Sequence, residues 1–471
     1  MKFQNTISQQ VLNKIKSKKW YRHGIYRDNL LLASTYLRFL GTEYMKKEGI
    51  EKGMSNNIRL GDGSYVVEEE FTQLVKLFYE KISIPFLKKY IMDYNKDNEH
   101  LMGIAKQINK EDAKILSDKE IAKNLQLFFK NSNDIFHWLW GMEYLNTAME
   151  QFMHELTKKW KPSWNNEQIT NFLDSVSYIP KKFRFQKEKE DILNNISIET
   201  LHKKYEWRKM NTWDARPYSL EEYRKRALKI KEQEIKQKSL ETMEKGADKA
   251  KKIISSIDNQ EVREYTLLLQ DLIFLKTNRI DILTQSFYLI QPLLNQISKR
   301  KNVKYEDLIK STQEEIIQLT QNIKPDLSNK DYYAIVRIED EMHFFYGPAY
   351  KTIQEVLENK ELSKLTSVKG STAFKGKVTG NVKILLTDRD LPKLEKGDIL
   401  VCNLTNPNYN PAFNLVKGIV TDGGGILCHS AIMAREFKIP CVIGTKYATF
   451  IFKDNELIEV DANKGTVTKL K

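Results

Sequence analysis

A histidine follows three consecutive glycines in the stretch TDGGGILCHSAIMAREFKIPCVIGT, Thr421 to Thr445. Gly423, Gly424 and Gly425 can turn successive backbone N–H groups toward an anion, because glycine adopts positive φ and lets a ligand approach the backbone. His429 and Ser430 stand where a short helix is expected to start. A helix N-terminus adds unpaired N–H groups and the positive end of its dipole. Such a cradle suits phosphate. The imidazole at its lip suits phosphoryl transfer, since one neutral ring nitrogen can attack while a hydrogen bond holds the other. The product is a phosphohistidine, reactive enough to pass the group on. Arg435, one and a half turns further along, can counter phosphate charge or make a structural ion pair. The candidate site is therefore His429 as the reacting group, with Gly423, Gly424, Gly425, Ser430 and Arg435 around the phosphate. No set of metal ligands is expected.

Plainer readings stand beside this one. A histidine after a tight strand-to-helix turn can be a satisfied core residue. A triple glycine before a helix can bind a nucleotide, but the Lys-Ser/Thr ending of a P-loop is absent. His23, His100, His137, His154, His202 and His343 fall in expected helical or loop contexts, without a glycine run.

The elements around His429 read as a small α/β domain. NVKILLTD, GDILVCNLT, KGIVTD, PCVIGT and ELIEVDANKGTVTKL are short apolar or alternating runs bounded by Gly, Asp and Asn, the pattern of strands. Asn463–Gly465 suits a hairpin turn. One short helix is expected to start at Asn410–Pro411, with proline at its first position, and another near His429–Ser430.

Composition separates this domain from the rest. Ten of the 20 glycines lie from Gly370 onward, whereas all seven tryptophans lie between Trp20 and Trp213. The earlier residues read as helices. Ser219 and Glu222 have capping-box spacing, and Tyr265, Leu268, Leu269, Leu272, Ile273 and Leu275 follow a helical stripe. DIFHWLWGMEYLNTAMEQFMHELTKKW sets aromatics and Met at similar spacing, as a core face or as a ligand pocket. The sequence predicts a multidomain chain: a mainly α N-terminal region followed by a small α/β domain. The expected segments are a helical region over 1–200, a second helical domain over 201–365 and the α/β domain over 370–471.

No apolar run reaches the ~18 residues of a membrane span. Cys402, Cys428 and Cys441 are odd in number and lack C-x-x-C spacing, so neither a disulfide framework nor a zinc site is expected. A reduced, cytoplasmic setting fits them. The net charge of +14 comes from scattered lysines with no compact basic block, so nucleic acid is not expected as a partner. A small anionic substrate is compatible with it.

Residues 370–471 resemble the mobile phosphohistidine domain of the phosphoenolpyruvate-utilising enzymes. The likeness rests on GKVTGNVKIL, LEKGDILVCNLTNP, IVTDGGGILCHSAIMAREFKIPCVIGT and VDANKGTV, in order. It implies that His429 is the phosphorylated residue and that the domain swings between two sites. Leu427 and Cys428 stand where pyruvate phosphate dikinases carry Thr-Ser, so regulation through that threonine is not implied. Ser430 replaces a common alanine. Upstream, KKYEWRKMNTWDARPYSLEEY and VRIEDEMHFFYGPAYKTIQEVL are similar to the helical domain of synthase-like and rifampin-phosphotransferase-like members, where the acceptor binds. Arg337, Glu339 and Asp340 resemble a charged cluster there, or form surface ion pairs.

Nothing in residues 1–369 resembles the family's nucleotide-binding domain, and no pyruvate-binding barrel is recognised. The resemblance thus implies a phosphotransferase component whose own chain binds no cofactor. ATP and Mg are expected at a separate ATP-binding, phosphoryl-donor subunit. A small-molecule acceptor is expected in an apolar, aromatic-lined pocket of the helical region, with Leu362–Gly370 as the hinge and no membrane partner. The competing class is a non-catalytic binding or regulatory protein that keeps the mobile-domain fold.

Overall fold

The computed structural model describes residues 3–25, 45–46, 49–61, 63–211, 216–237, 239–323, 325, 332–357, 365–386, 388–405, 407–425 and 428–470. The chain divides into two compact units. One comprises Met1, Arg27–Met54 and Leu74–Asp331; the other comprises Lys2–Tyr26, Ser55–Gln73 and Tyr332–Lys471.

The first unit is helical. Helices Ile84–Lys110, Asp118–Trp160 and Gln260–Arg300 pack on one another as its frame. Their ends follow local chemistry. Ser117 and Glu120 form a capping box, Ser83 caps a helix with proline in its first turn, and Asn259 caps the third helix through the Val262 N–H. Tyr265, Leu268, Leu269, Leu272 and Leu275 are buried, so their stripe is core. The aromatics upstream are core too: the Trp138 ring meets Tyr90 edge-on at 4.7 Å and Tyr94 at 5.9 Å. Ser219 and Glu222 exchange hydrogen bonds at the start of the helix Leu220–Gln237, at 2.8 and 3.2 Å.

A buried charge cluster lies in this unit. The Glu188 carboxylate accepts from Tyr223 at 3.0 Å and from Arg226 at 3.1 and 3.0 Å, and Arg208 approaches it at 3.1 Å. Burial opposes its charge, but the two guanidiniums prevail and hold its pKa below the usual value.

The second unit holds two sheets. Strands β1 (Phe3–Gln4), β2 (Trp20–Ile25), β3 (Asn57–Leu60), β4 (Gly63–Val67), β5 (Tyr333–Ile338) and β6 (Glu341–Tyr346) form a six-stranded sheet in the order β1-β6-β5-β3-β4-β2. All its pairings are antiparallel except β1 with β6. Helices Gln9–Lys16 and Gly347–Leu357 supply Ile15, Ala349, Ile353 and Leu357 to its core. The sequence predicts helix throughout this region, and the sheet corrects that. Its strands come from both expected helical segments, so 1–200 and 201–365 are not successive domains. His23 lies in β2 and His343 in β6, not in helices or loops. Glu339 and Asp340 are the two-residue turn between β5 and β6, with φ of 52° and 68°. Arg337 pairs with Asp340 at 3.1 Å and Glu339 with Lys14 at 2.6 Å, which makes this cluster an ion-paired turn.

The second sheet carries the histidine. Its strands are β7 (Ser367–Lys369), β8 (Ser371–Phe374), β9 (Lys377–Leu385), β10 (Ile399–Cys402), β11 (Gly418–Thr421), β12 (Cys441–Ile443), β13 (Leu457–Asp461) and β14 (Thr466–Lys469). The order is β7-β14-β13-β9-β10-β11-β12-β8, with β9 to β12 parallel. The parallel strands are buried on both faces: Leu400, Cys402, Ile419 and Cys441 face one core, Val401, Val420 and Val442 the other. A mainly α region followed by a small α/β domain is therefore the architecture. The helix expected from Asn410–Pro411 is instead a 3-10 stretch, Pro407–Asn414, with Pro411 inside it. Of the expected hinge Leu362–Gly370, residues 362–364 lie outside the described residues, and Ser367–Lys369 are strand β7 of this sheet.

Candidate functional site

Parallel strands leave their loops together at the carboxyl edge of the sheet, where open α/β sheets bind ligands. Here Asn403–Thr405 follows β10 and Asp422–Gly425 follows β11. The helix His429–Phe437 starts at that edge, with His429 as its first residue and Cys428 as N-cap. Cys428 makes no side-chain cap bond, so no side chain of its own competes for the first-turn N–H groups.

His429 is half-buried. Its ring centroid lies 5.8 Å from that of Phe413. Burial pushes its pKa down to about 4, so the imidazole is neutral at neutral pH. Its Nδ1 lies 2.8 Å from Thr405 Oγ1, which lies 2.8 Å from the Oγ of Ser430. Ser430 is buried. The three polar groups form one chain, which leaves Nε2 as the ring nitrogen outside it.

The glycines do different work. Gly423 donates its N–H to the Asn403 carbonyl at 2.9 Å, so that group faces the β10 loop and not an anion. This corrects the three-donor cradle. Gly424 has φ of 97°, and a Cβ there would stand 2.8 Å from the Cys428 sulfur. Positive φ and lack of space both require glycine at this position. The Gly425 carbonyl accepts from the Cys428 N–H at 3.0 Å, closing the turn into the helix. Arg435 lies six residues past His429, ~9 Å along the axis and about a third of a turn off its face. Its guanidinium reaches the Ala373 carbonyl of β8 at 3.5 Å. The structure thus brings His429, Ser430 and the glycine loop together and directs Arg435 to β8.

Two residues were missed by sequence reasoning. Thr405 sits in the quoted CNLTNP run, but only the proximity of the β10 and β11 loops reveals its bond to His429. Asp422 directly precedes the glycines. Its carboxylate is buried and accepts from the Thr449 N–H at 3.1 Å and the Thr445 hydroxyl at 3.3 Å. Burial raises its pKa against the opposing pull of Thr449 and Arg22.

Residues 394–465 match the family of PEP-utilising enzyme mobile domains. The C-terminal domain belongs to that family. The chain is similar to a probable phosphoenolpyruvate synthase of Methanothermobacter thermautotrophicus, 39% identical over 131 residues, which are 28% of this chain and 19% of that protein. It is similar to a probable phosphoenolpyruvate synthase of Archaeoglobus fulgidus, 43% identical over 114 residues, 24% of this chain and 15% of that one. An uncharacterized phosphotransferase of Bacillus subtilis, YvkC, is 38% identical over 120 residues, 26% of this chain and 14% of that one. The matches thus span less than a fifth of these relatives. Among solved structures, the holo form of Thermococcus kodakaraensis aconitase X is 20% identical over 22% of this chain and 98% of that chain, with a TM-score of 0.19. At that score the likeness carries no argument.

Outside the mobile domain, the helical unit has an open cavity of about 630 Å³ lined by Lys209, Arg216, Tyr218, Gln291, Asn295 and Tyr305 among others. Its lining mixes charged and amide side chains with Pro217 and two tyrosines. Lys209 pairs with Glu222 at 2.7 Å, and Arg216 pairs with Glu306. Among the described residues no group of three or more His, Cys, Asp or Glu is arranged to hold a metal ion. No helix among them is long and apolar enough to cross a membrane.

Proposed function

We propose that the chain is a phosphotransferase component that carries a phosphoryl group on Nε2 of His429. The observation that supports this most directly is the neutral imidazole whose Nδ1 is tied to Thr405 at a helix N-terminus. In this reading the Nδ1–H donates to Thr405, and the Nε2 lone pair is left to attack phosphorus. The N–P bond forms as the donor's P–O bond breaks, and the leaving group keeps that electron pair. In the second half-reaction an acceptor oxygen attacks, the P–N bond breaks, and its electrons return to Nε2. Backbone N–H groups of Gly424, Gly425 and the first helical turn hold the phosphoryl oxygens. Ser430 supports Thr405 from behind.

The donor is an ATP- or phosphoenolpyruvate-using site on a separate subunit, where ATP and Mg bind. The acceptor is a small molecule at the helical region. The family of the C-terminal domain, the names of its relatives and the lack of a P-loop motif in residues 1–369 support this arrangement. The test is to phosphorylate the chain with labelled donor, in the presence of candidate donor proteins, and map the group by mass spectrometry. An acid-labile, base-stable label on His429, lost in His429→Ala, is expected. A label elsewhere that survives His429→Ala would overturn the assignment.

A further inference from the structure

Asp422 is a buried carboxylate one residue ahead of the glycine loop, and it has a contact outside its own domain. The Thr449 hydroxyl bonds to the Asp422 carboxylate, and Arg22 of β2 bonds to the same hydroxyl. A carboxylate only accepts and a guanidinium only donates. The one proton of the threonine therefore points to Asp422, and its oxygen accepts from Arg22. The direction of the chain Arg22 to Thr449 to Asp422 is fixed by chemistry. Asp422 is also fixed through its backbone: its N–H reaches the Cys402 carbonyl at 3.0 Å, and its carbonyl accepts from Lys446 N–H at 2.8 Å.

Four further contacts surround this chain. The Arg22 guanidinium lies 4.0 Å over the Phe450 ring. Phe450 packs against the apolar core of the six-stranded sheet, a cluster that includes Ile58 and Tyr65. Glu68, at the start of the helix Glu68–Lys81, pairs with Lys446 and, at 2.9 Å, with Lys19. The sheet side thus offers Arg22, Lys19 and Glu68. The mobile domain offers Thr449 and Phe450 from its short helix Ala448–Ile451, and Lys446 just before it.

We propose that the six-stranded sheet is a docking platform for the mobile domain, and that Arg22 positions the glycine loop by way of Thr449 and Asp422. The cation facing Asp422 belongs to the platform, and the Lys446 ammonium is engaged by Glu68. When the domain leaves, its buried carboxylate loses that cation and the loop beside it loosens. When the domain docks, the loop tightens. What the loop is used for rests on the phosphoryl-carrier reading; the docking itself does not.

The test is hydrogen exchange on the full chain, read at residues 421–428 and along β2. Arg22→Ala is expected to speed exchange at the glycine loop about tenfold, the size of one charge-assisted hydrogen bond. Lys446→Glu is expected to speed it as well, and pairing it with Glu68→Lys is expected to restore protection. Rescue by the charge swap is not expected of residues that merely fill space. The unmutated chain gives a control free of folding defects, because ~1 M salt shortens the screening length to ~3 Å and weakens the exposed Glu68 pairs. Loop exchange that is unchanged in Arg22→Ala, or a Lys446→Glu defect that the swap leaves in place, overturns the proposal. Phosphate labelling of His429 is measured in parallel. Coupled exchange without any label sinks the carrier reading alone, whereas a label with uncoupled exchange sinks the docking alone.

Discussion

Thr405 Oγ1 stands 2.8 Å from His429 Nδ1, and Thr405 reaches that position from the end of β10 while His429 opens a helix after β11. The bond to Thr405 occupies Nδ1 and leaves Nε2 as the ring nitrogen outside the chain of polar groups. With Ser430 Oγ also 2.8 Å away, Thr405 can accept from Nδ1–H and donate to Ser430. In the proposed transfer Nδ1 carries the proton and the lone pair is on Nε2. Thr405→Val keeps the shape and removes the hydrogen bond, worth ~1 kcal/mol. Phosphorylation of His429 is expected to fall roughly fivefold, with Thr405→Ser close to the parent. Single-turnover kinetics with each variant checks this, and a Thr405→Val chain as fast as the parent removes Thr405 from the mechanism.

The pH dependence follows from burial of the same ring. Burial lowers the His429 pKa to about 4, against 6.5 for the free side chain. The folded form stays neutral where the unfolded chain takes up a proton. His429 therefore lowers stability progressively as pH falls from 6.5 toward 4, and leaves it unaffected above 6.5. The attacking lone pair is present over that whole window. The phosphorylation rate is expected to stay flat through pH 6.5 and to fall only near 4, while His429→Ala melts with a weaker acid dependence. A rate profile with its midpoint at the ordinary histidine value contradicts the burial argument.

The C-terminal domain was legible because its order is local. Short apolar runs such as ILVC and CVI, each closed by Gly, Asp or Asn, became β10 and β12. The helix start at His429 likewise follows from its glycine run. The six-stranded sheet was not legible for the opposite reason. Its strands come from residues 3–25, 57–67 and 333–346, and β3 and β4 are buried at every position, without alternation. Pairings such as Ile58 with Val336 form only in the folded chain. Thr405 escaped on the same ground. For Arg435, helical spacing says how far the residue lies along the helix, not which neighbouring strand its guanidinium meets.

Gly424 is a position where backbone and space agree. Its φ of 97° disfavours any side chain, and a Cβ would meet the Cys428 sulfur at 2.8 Å. Gly424→Ala is expected to destabilise the domain by about 1–3 kcal/mol through local strain. Displacement of Cys428 would move the first turn of the helix and with it His429. Phosphoryl transfer is therefore expected to fall much further than the melting temperature does. Gly424→Ala with full transfer activity and a parental melting curve means that the loop does not set the geometry of the site.

In the helical unit the Glu188 cluster tests fold, not transfer. Its carboxylate is buried between Arg226 and Arg208 and accepts from Tyr223. Removing one partner of a buried pair leaves the other charges unpaired, which costs about 3–5 kcal/mol. Glu188→Ala is expected to unfold at lower denaturant concentration by that amount. Urea titration followed by tryptophan fluorescence measures it, and Trp207 beside Arg184 reports the local change. A loss well under 1 kcal/mol would place the cluster among ordinary surface ion pairs.

The donor is the final point that experiment can settle. Phosphorylating an imidazole needs the donor phosphate held in line with Nε2 and its charge neutralised. Among the described residues, His429 lies beside the Thr405 hydroxyl and the Phe413 ring, and the Arg435 guanidinium reaches the Ala373 carbonyl of β8. No P-loop motif occurs in residues 1–369, and the cavity of the helical unit has Lys209 and Arg216 engaged by Glu222 and Glu306. In the proposed arrangement a second protein supplies the charge neutralisation of ATP. The purified chain is expected to bind ATP no tighter than millimolar by calorimetry, to hydrolyse none of it, and to acquire label at His429 only when an ATP-binding partner is added. Micromolar ATP binding by the chain alone, followed by labelling of His429 without any second protein, would show that donor and carrier are complete in one polypeptide.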